Sequence, residues 1–233
     1  MKVELIKYPT EQDWLWVKQC TLNTVGKKLK SSTKEVDFEW KKKLLESEHS
    51  PIRELCFGIR MEIPYWVSVH FVRHHIGVNH YVQTQRDDRQ KDLDISRNDK
   101  PQGEIVSHIM SINAQELIQM SHKRLCAQAS KETRQVMKQI VELVIEKYPE
   151  FKEVLVPLCV YRNNKCTEMF PCPKVNKFKQ QEQHIKDTTY LFDIYESVID
   201  ELPFTITDLF QSKEDLEVYD RFYGNKLKEF ENE

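Results

Sequence analysis

Apolar residues recur along the chain in two different periods. Leu55, Phe57, Ile59, Met61 and Ile63 stand at every second position with Arg60 and Glu62 between them. That spacing predicts a strand with one buried face, stopped by Pro64. A weaker alternation around Val3, Leu5 and Ile6 predicts a short strand over Met1–Tyr8, and Ile105–Ile112 reads as another. Helical spacing governs most of the rest. Thr10 is a candidate N-cap for a helix over Glu11–Lys30. Ser32-x-x-Glu35 reads as a capping box that opens a helix to Glu46, with Val36, Trp40, Leu44 and Leu45 on one face. Because proline suits a first helical turn, Pro64–His75 predicts a helix carrying Val67, His70, Phe71 and His74, ending near Gly77. Asn113-x-x-Glu116 resembles a capping box ahead of a helix with Leu117, Met120, Arg124 and Leu125. A further helix spans Ser130–Lys147 with Val136, Ile140 and Val144 aligned. Trp14, Trp16 and Phe38 are assigned to the core.

The polar stretch Gln85–Glu104 reads as a surface loop able to cover a ligand. From Lys174 the composition shifts to Lys and Gln, and helices are expected near Ile185–Glu201 and Lys213–Phe230. A boundary near Val175 therefore separates a main domain, residues 1–175, from a C-terminal helical extension, residues 176–233.

Composition narrows the function classes. A chain of 233 residues forms one large domain or a domain with an appendage. Its 35 Lys+Arg against 37 Asp+Glu leave a net charge of −2, so no global field favours a nucleic-acid polymer or an anionic membrane, and any anion site is local. The most apolar stretches, such as Ile140–Ile145, are far short of a bilayer span, and Met1–Glu11 has no signal-peptide core, which gives the expectation of a soluble, cytoplasmic protein. The five glycines, at 26, 58, 77, 103 and 224, form neither a dinucleotide-binding fingerprint nor a phosphate-binding loop. Six cysteines are expected as thiols.

Four of the eight histidines, His70, His74, His75 and His80, cluster within eleven residues, with Arg73 among them and Arg86 beyond. One reading is a solvated helix end, where cations are favourable. The other is an anion or nucleotide site, since the arginine fork pairs bidentately with phosphate oxygens. A metal site is a third option that geometry disfavours: neighbours 74 and 75 diverge by about 100° on a helix, so the three imidazoles do not share one ion. Arg124-Leu125-Cys126 with Glu132 and Arg134 reads as an amphipathic helix pair with its charges outward. Cys159, Cys166 and Cys172 contain no C-x-x-C pair and carry a weak zinc signal.

The run from His70 through Arg73-His74-His75 to Thr84-Gln85-Arg86 resembles the signature of the flavin-dependent thymidylate synthases, the ThyX family. That signature is Arg-His-Arg, a spacer of seven or eight residues, then Ser and a following Arg. His49-Ser50-Pro51 is similar to the family's His-x-Ser/Thr-Pro segment. Asn113-Ala114 with Arg124 resembles its Asn-Ala-Arg and Leu-Arg helix, Ala129-x-x-Glu132 its Ala-x-x-Glu, and Cys166-Thr167-Glu168 to Cys172 the tail of some branches. The resemblance covers residues 1–175.

Departures accompany it. His75 and Thr84 replace the signature's second Arg and its Ser; Tyr81 and Val82 replace an Asn-Glu pair whose carboxylate lies near the nucleotide; His70 replaces a Gln, and Gln115 an Arg. Arg97 is the one candidate for an additional phosphate-binding arginine. The resemblance implies an α+β fold with a central antiparallel or mixed sheet flanked by helices, a homotetramer with active sites between subunits, and bound FAD. It also implies methylation of dUMP with methylenetetrahydrofolate and NADPH as co-substrates, with the folate and the pyrimidine deoxynucleotide as partners. By match, Ser50, Arg73, His74, His75, Asn113 and Gln119 belong to the cofactor side. His70, Thr84, Gln85, Arg86 and Arg124 belong to the substrate side, Arg124 being also the catalytic candidate. No metal is expected. A related flavoprotein acting on another pyrimidine or making a hydroxymethyl product, and a non-catalytic nucleotide-binding or assembly protein, are the alternatives.

Overall fold

The computed structural model describes residues 1–89, 96–163, 165–169 and 172. Two compact units divide the chain, Met1–Pro157 and Leu158–Glu233. The first contains a four-stranded antiparallel sheet in the order β1-β2-β4-β3. Its strands are β1 (Lys2–Lys7), β2 (Cys56–Pro64), β3 (Val78–Val82) and β4 (Ile105–Asn113), and its helices are α1 (Glu11–Asn23), α2 (Phe38–Glu46), α3 (Tyr65–Val72), α4 (Ala114–Arg124) and α5 (Lys131–Lys147). The second unit, as far as it is described, holds the short helix α6 (Leu158–Tyr161). The expected boundary near Val175 and the two C-terminal helices lie outside the described residues. The α+β class with an antiparallel sheet is the one expected. Among the described residues no helix is long and apolar enough to cross a membrane, and none of the six cysteines is in a disulfide.

The period-two pattern of β2 translates directly into packing. Phe57, Ile59, Met61 and Ile63 are each at most 1% exposed, and Arg60 and Glu62 emerge on the other side. Opposite them on β4, Ile112, Met110, His108 and Val106 face the same buried layer. Each of these apolar side chains contributes roughly 1.5–3 kcal/mol by leaving water. One inward position of β4 is therefore a histidine set among hydrophobes.

Several expectations are corrected. α1 stops at Asn23, because Gly26 in the left-handed region (φ +69°) turns the chain and Lys27 N–H closes on Leu22 O at 3.0 Å. Ser32-x-x-Glu35 opens nothing: α2 starts at Phe38, capped by Asp37 on Trp40 N–H at 2.9 Å, while Glu11 holds Val36 N–H at 2.6 Å and pins that segment to α1. Trp14 is buried, but Trp16 (54% exposed) and Phe38 (46%) lie at the surface, Trp16 donating its indole N–H to Glu54. α3 ends at Val72, so His74 leaves the helix and stands in the turn to β3. β3 itself escaped the sequence pattern, since its inward positions alternate Val78, His80, Val82 around a polar residue.

That turn depends on Gly77. Its φ of +72° suits glycine, and a Cβ there would sit 2.4 Å from Asn113 Nδ2. Gly77→Ala is expected to cost about 2–3 kcal/mol, combining left-handed strain of ~1–2 kcal/mol with displacement of the Asn113 helix cap, ~1 kcal/mol. Urea unfolding checks this; a change under about 0.5 kcal/mol, the usual range for a surface substitution, would contradict it.

Candidate functional site

The site is assembled where α3, the turn after it, β3, and the helices α4 and α5 converge in the first unit. α3 returns along the sheet after β2 and delivers Arg73 at its C-cap and His74 in the following turn. α4 begins where β4 ends, its N-terminus fixed three ways. Asn113 Oδ1 accepts from Glu116 N–H at 2.9 Å, Asn113 N–H donates to Gly77 O at 3.0 Å, and Ala114 N–H donates to Leu55 O at 2.8 Å. The last bond ties α4 to the residue that follows the 3-10 turn Ser50–Glu54.

His74 lies at the centre of the arrangement. Arg124 Nε is 3.1 Å from His74 Nε2, and His74 Nδ1 is 2.8 Å from Glu116 Oε1. A guanidinium nitrogen only donates, so Nε2 is the acceptor and the ring carries its proton on Nδ1, donating to the carboxylate. The main-chain carbonyl of His74 accepts from His80 Nε2–H at 2.7 Å. His80 Nδ1 then accepts from His108 Nε2–H at 2.9 Å, which leaves His108 Nδ1 buried without a hydrogen-bond partner among the described residues. Two chains thus meet on one residue, one at its side chain and one at its backbone.

Charge is concentrated on one side of this cluster. The half-buried Arg124 has its pKa lowered, first by burial and then by the neighbouring positive charge of Arg73. His70 is also lowered, by burial and then by Arg124 and Arg73, while its Nδ1 hydrogen-bonds Thr133 Oγ1 at 2.7 Å. Thr133 is held in turn by Ser130, the N-cap of α5. Arg134 is not turned outward: it donates to the carbonyls of Ala127 and Ala129, both at 3.1 Å, and stiffens the α4–α5 connection.

Of the expected residues, His70, Arg73, His74 and Arg124 are brought together, with Asn113 joined to them through Gly77. Gln119 is exposed on α4, Ser50 is exposed at the start of its 3-10 turn, and His75 is exposed with its Nδ1 3.2 Å from Arg73 O. Thr84, Gln85 and Arg86 leave the opposite end of β3. Val78 pairs with Ile112 at one end of that strand, whereas Gln83 N–H reaches Ser107 O beyond the other, roughly 16 Å away at ~3.3 Å per residue. There Gln85 donates to Glu104 at 3.0 Å, and Arg86 pairs with Asp88 through Nε and Nη2 at 2.9 and 2.7 Å. Within one chain these residues and the His74 cluster therefore lie apart, at opposite ends of β3. Glu116, His108, Thr133 and Ser130 were not anticipated as parts of the site. Glu116 was accounted for as a cap, and His108 sits in a strand with no local signal of its own.

Burial, followed by the proximity of His80, pushes the His108 pKa down to about 4. The unfolded chain takes up this proton near pH 6.5, the folded chain only near 4. Stability from this group is therefore complete above about pH 6.5 and is lost as the pH falls toward 4. Wild type is expected to lose about 2 kcal/mol between pH 7.5 and pH 5 that His108→Leu does not lose. Urea unfolding at the two pH values checks this, and equal losses in both proteins would contradict it.

No curated protein matches the chain. The family model of thymidylate synthase complementing protein matches residues 94–150, a segment that contains β4, α4 and α5 and with them Asn113, Glu116, Arg124 and Thr133. Over that segment, which includes the helix that carries Arg124, the chain is similar to the thymidylate synthase complementing protein family.

Proposed function

We propose that this protein is an FAD-dependent thymidylate synthase that methylates dUMP to dTMP, using methylenetetrahydrofolate and NADPH. One observation carries the reading: Arg124, on the helix matched by the family, is hydrogen-bonded to His74, fifty residues earlier in the Arg73-His74 signature. The donor set fits a flavin dinucleotide. Arg73 approaches Arg124 closely enough to disfavour the charge on Arg124, beyond the effect of burial. Glu116, the carboxylate that meets this cluster, is engaged with His74. An excess of fixed positive charge with imidazole and amide donors suits an anionic, planar heteroaromatic ligand.

Arg73 and His74, with Asn113, Ser50, His75 and Gln119, would hold FAD; Arg124 and His70 would face the pyrimidine; Thr84, Gln85 and Arg86 would take the nucleotide phosphate. When bound and reduced, the flavin supplies hydride. The chain's own work is to bind, orient and stabilise charge, and it needs no nucleophile. Arg124 stabilises negative charge that builds on the pyrimidine ring, and His74 holds the guanidinium edge in place. The separation of the two groups along β3 supports a homotetramer in which one copy supplies the His74 cluster and another the Thr84–Arg86 segment. Val69, Val72 and Ile76, apolar and exposed in and just after α3, are consistent with such contacts.

Product mass after incubation with FAD, NADPH, methylenetetrahydrofolate and either dUMP or dCMP tests the reading. A gain of one methyl group on dUMP is the expected result. A methylated or hydroxymethylated product from dCMP alone would reassign the substrate, in keeping with Tyr81 and Val82 where the family has Asn-Glu. No product with either nucleotide would remove the enzymatic reading.

A further inference from the structure

Glu116 is only 7% exposed, in the first turn of α4, where a carboxylate is favoured by the positive end of the helix. In a reciprocal capping box it would fold back onto the N-cap N–H. Here the N–H of Asn113 is already donated to Gly77 O, and the Glu116 carboxylate turns to His74 Nδ1 at 2.8 Å. Its effect is on the ring it touches. An imidazole left to itself in water favours the proton on Nε2, but here Nε2 faces the Nε–H of Arg124 at 3.1 Å. With the unassisted tautomer two donors would confront each other, and the guanidinium would be released. The second brace on His74, from His80, grips its carbonyl and leaves the ring tautomer undetermined.

We propose that Glu116 is a positioning residue: by keeping the proton of His74 on Nδ1, it makes Nε2 the acceptor that fixes the direction of the Arg124 guanidinium. Arg124 then meets its ligand with the Nη edge, which has no hydrogen bond among the described residues, already aimed. The functional consequence rests on the role proposed above for Arg124, whereas the tautomer is a property of the protein alone.

The test uses the full chain, labelled with ¹⁵N-histidine and ¹⁵N-arginine, without flavin or nucleotide, at neutral pH. Long-range proton–nitrogen spectra report the tautomer of His74, assigned by its loss in His74→Gln. Wild type is expected to show His74 protonated on Nδ1 and a slowly exchanging Arg124 Nε–H. In Glu116→Ala the tautomer ratio should invert toward Nε2–H, and the Arg124 signal should be lost to fast exchange. Glu116→Gln, whose carboxamide oxygen still accepts, should restore both. Retention of Nδ1–H and of the protected Arg124 signal in Glu116→Ala would overturn the proposal. Wild-type His74 found with its proton on Nε2 would overturn it as well, even if the alanine variant does not fold. A chain that shows the inversion but binds no FAD contradicts the functional reading and leaves the positioning role intact.

Discussion

Arg124→Ala is expected to lower turnover by roughly a hundred- to thousand-fold, the ~2.7–4 kcal/mol lost with one well-placed charge-stabilising donor. Transferring a one-carbon unit to a pyrimidine builds negative charge on the ring, and a fixed guanidinium beside it gains more in the transition state than in the bound substrate. The loss should therefore appear in the rate of the chemical step. The direction of the guanidinium is set by its donation to His74 Nε2 at 3.1 Å, so Arg124→Lys is not expected to rescue: an ammonium cannot both donate to that nitrogen and present a planar edge. Single-turnover reoxidation of reduced flavin in the presence of dUMP and methylenetetrahydrofolate checks this, with FAD binding verified first in each variant. Equal rates for the three proteins would make Arg124 a structural helix residue.

The second large effect concerns the cofactor. Arg73→Ala/His74→Ala removes an exposed cation and the ring at the centre of the cluster, and it is expected to weaken FAD binding by about a hundredfold or more. Two hydrogen bonds to charged groups, at about 1.5–3 kcal/mol each, account for that loss. Because Glu116 loses its partner in the double variant, a stability loss of about 1–3 kcal/mol accompanies it, and circular dichroism must confirm the fold. Arg73→Ala alone leaves the Glu116 contact untouched and separates the two contributions. Titration of FAD into each apo protein reads the effect.

The sheet and helices that bury a regular face were legible in the sequence, because burial on one side imposes a period. β2 is the clearest case, with Phe57, Ile59, Met61 and Ile63 inward, and α5 follows with Val136, Ile140 and Val144. β3 was not legible, since its inward middle position is His80 and the histidine is there to hold another residue's carbonyl. Local capping chemistry was read correctly at Thr10 and, for the N-cap side chain, at Asn113. It failed at Ser32-x-x-Glu35, where a contact from Glu11, distant in sequence, takes the segment instead. The site followed the same division. The His70, Arg73 and His74 cluster stood out by residue type and spacing, whereas Arg124, by pattern an outward charge on an amphipathic helix, was singled out by the family resemblance. The bonds that join them, Arg124 to His74 and His74 to Glu116, span 50 and 42 residues and have no trace in local pattern. Glu116 was the hardest to find because a capping box gave its position a sufficient explanation.

The cluster around His74 is proposed to bind FAD. Titrating the apo protein with FAD, followed by flavin fluorescence and by sedimentation of the mixture, tests it most directly. The expected result is saturable uptake approaching one FAD per chain, with the flavin co-sedimenting with an oligomer and uptake lost in Arg73→Ala/His74→Ala. Uptake that is absent in wild type, or that persists undiminished in a folded double variant, would contradict the account.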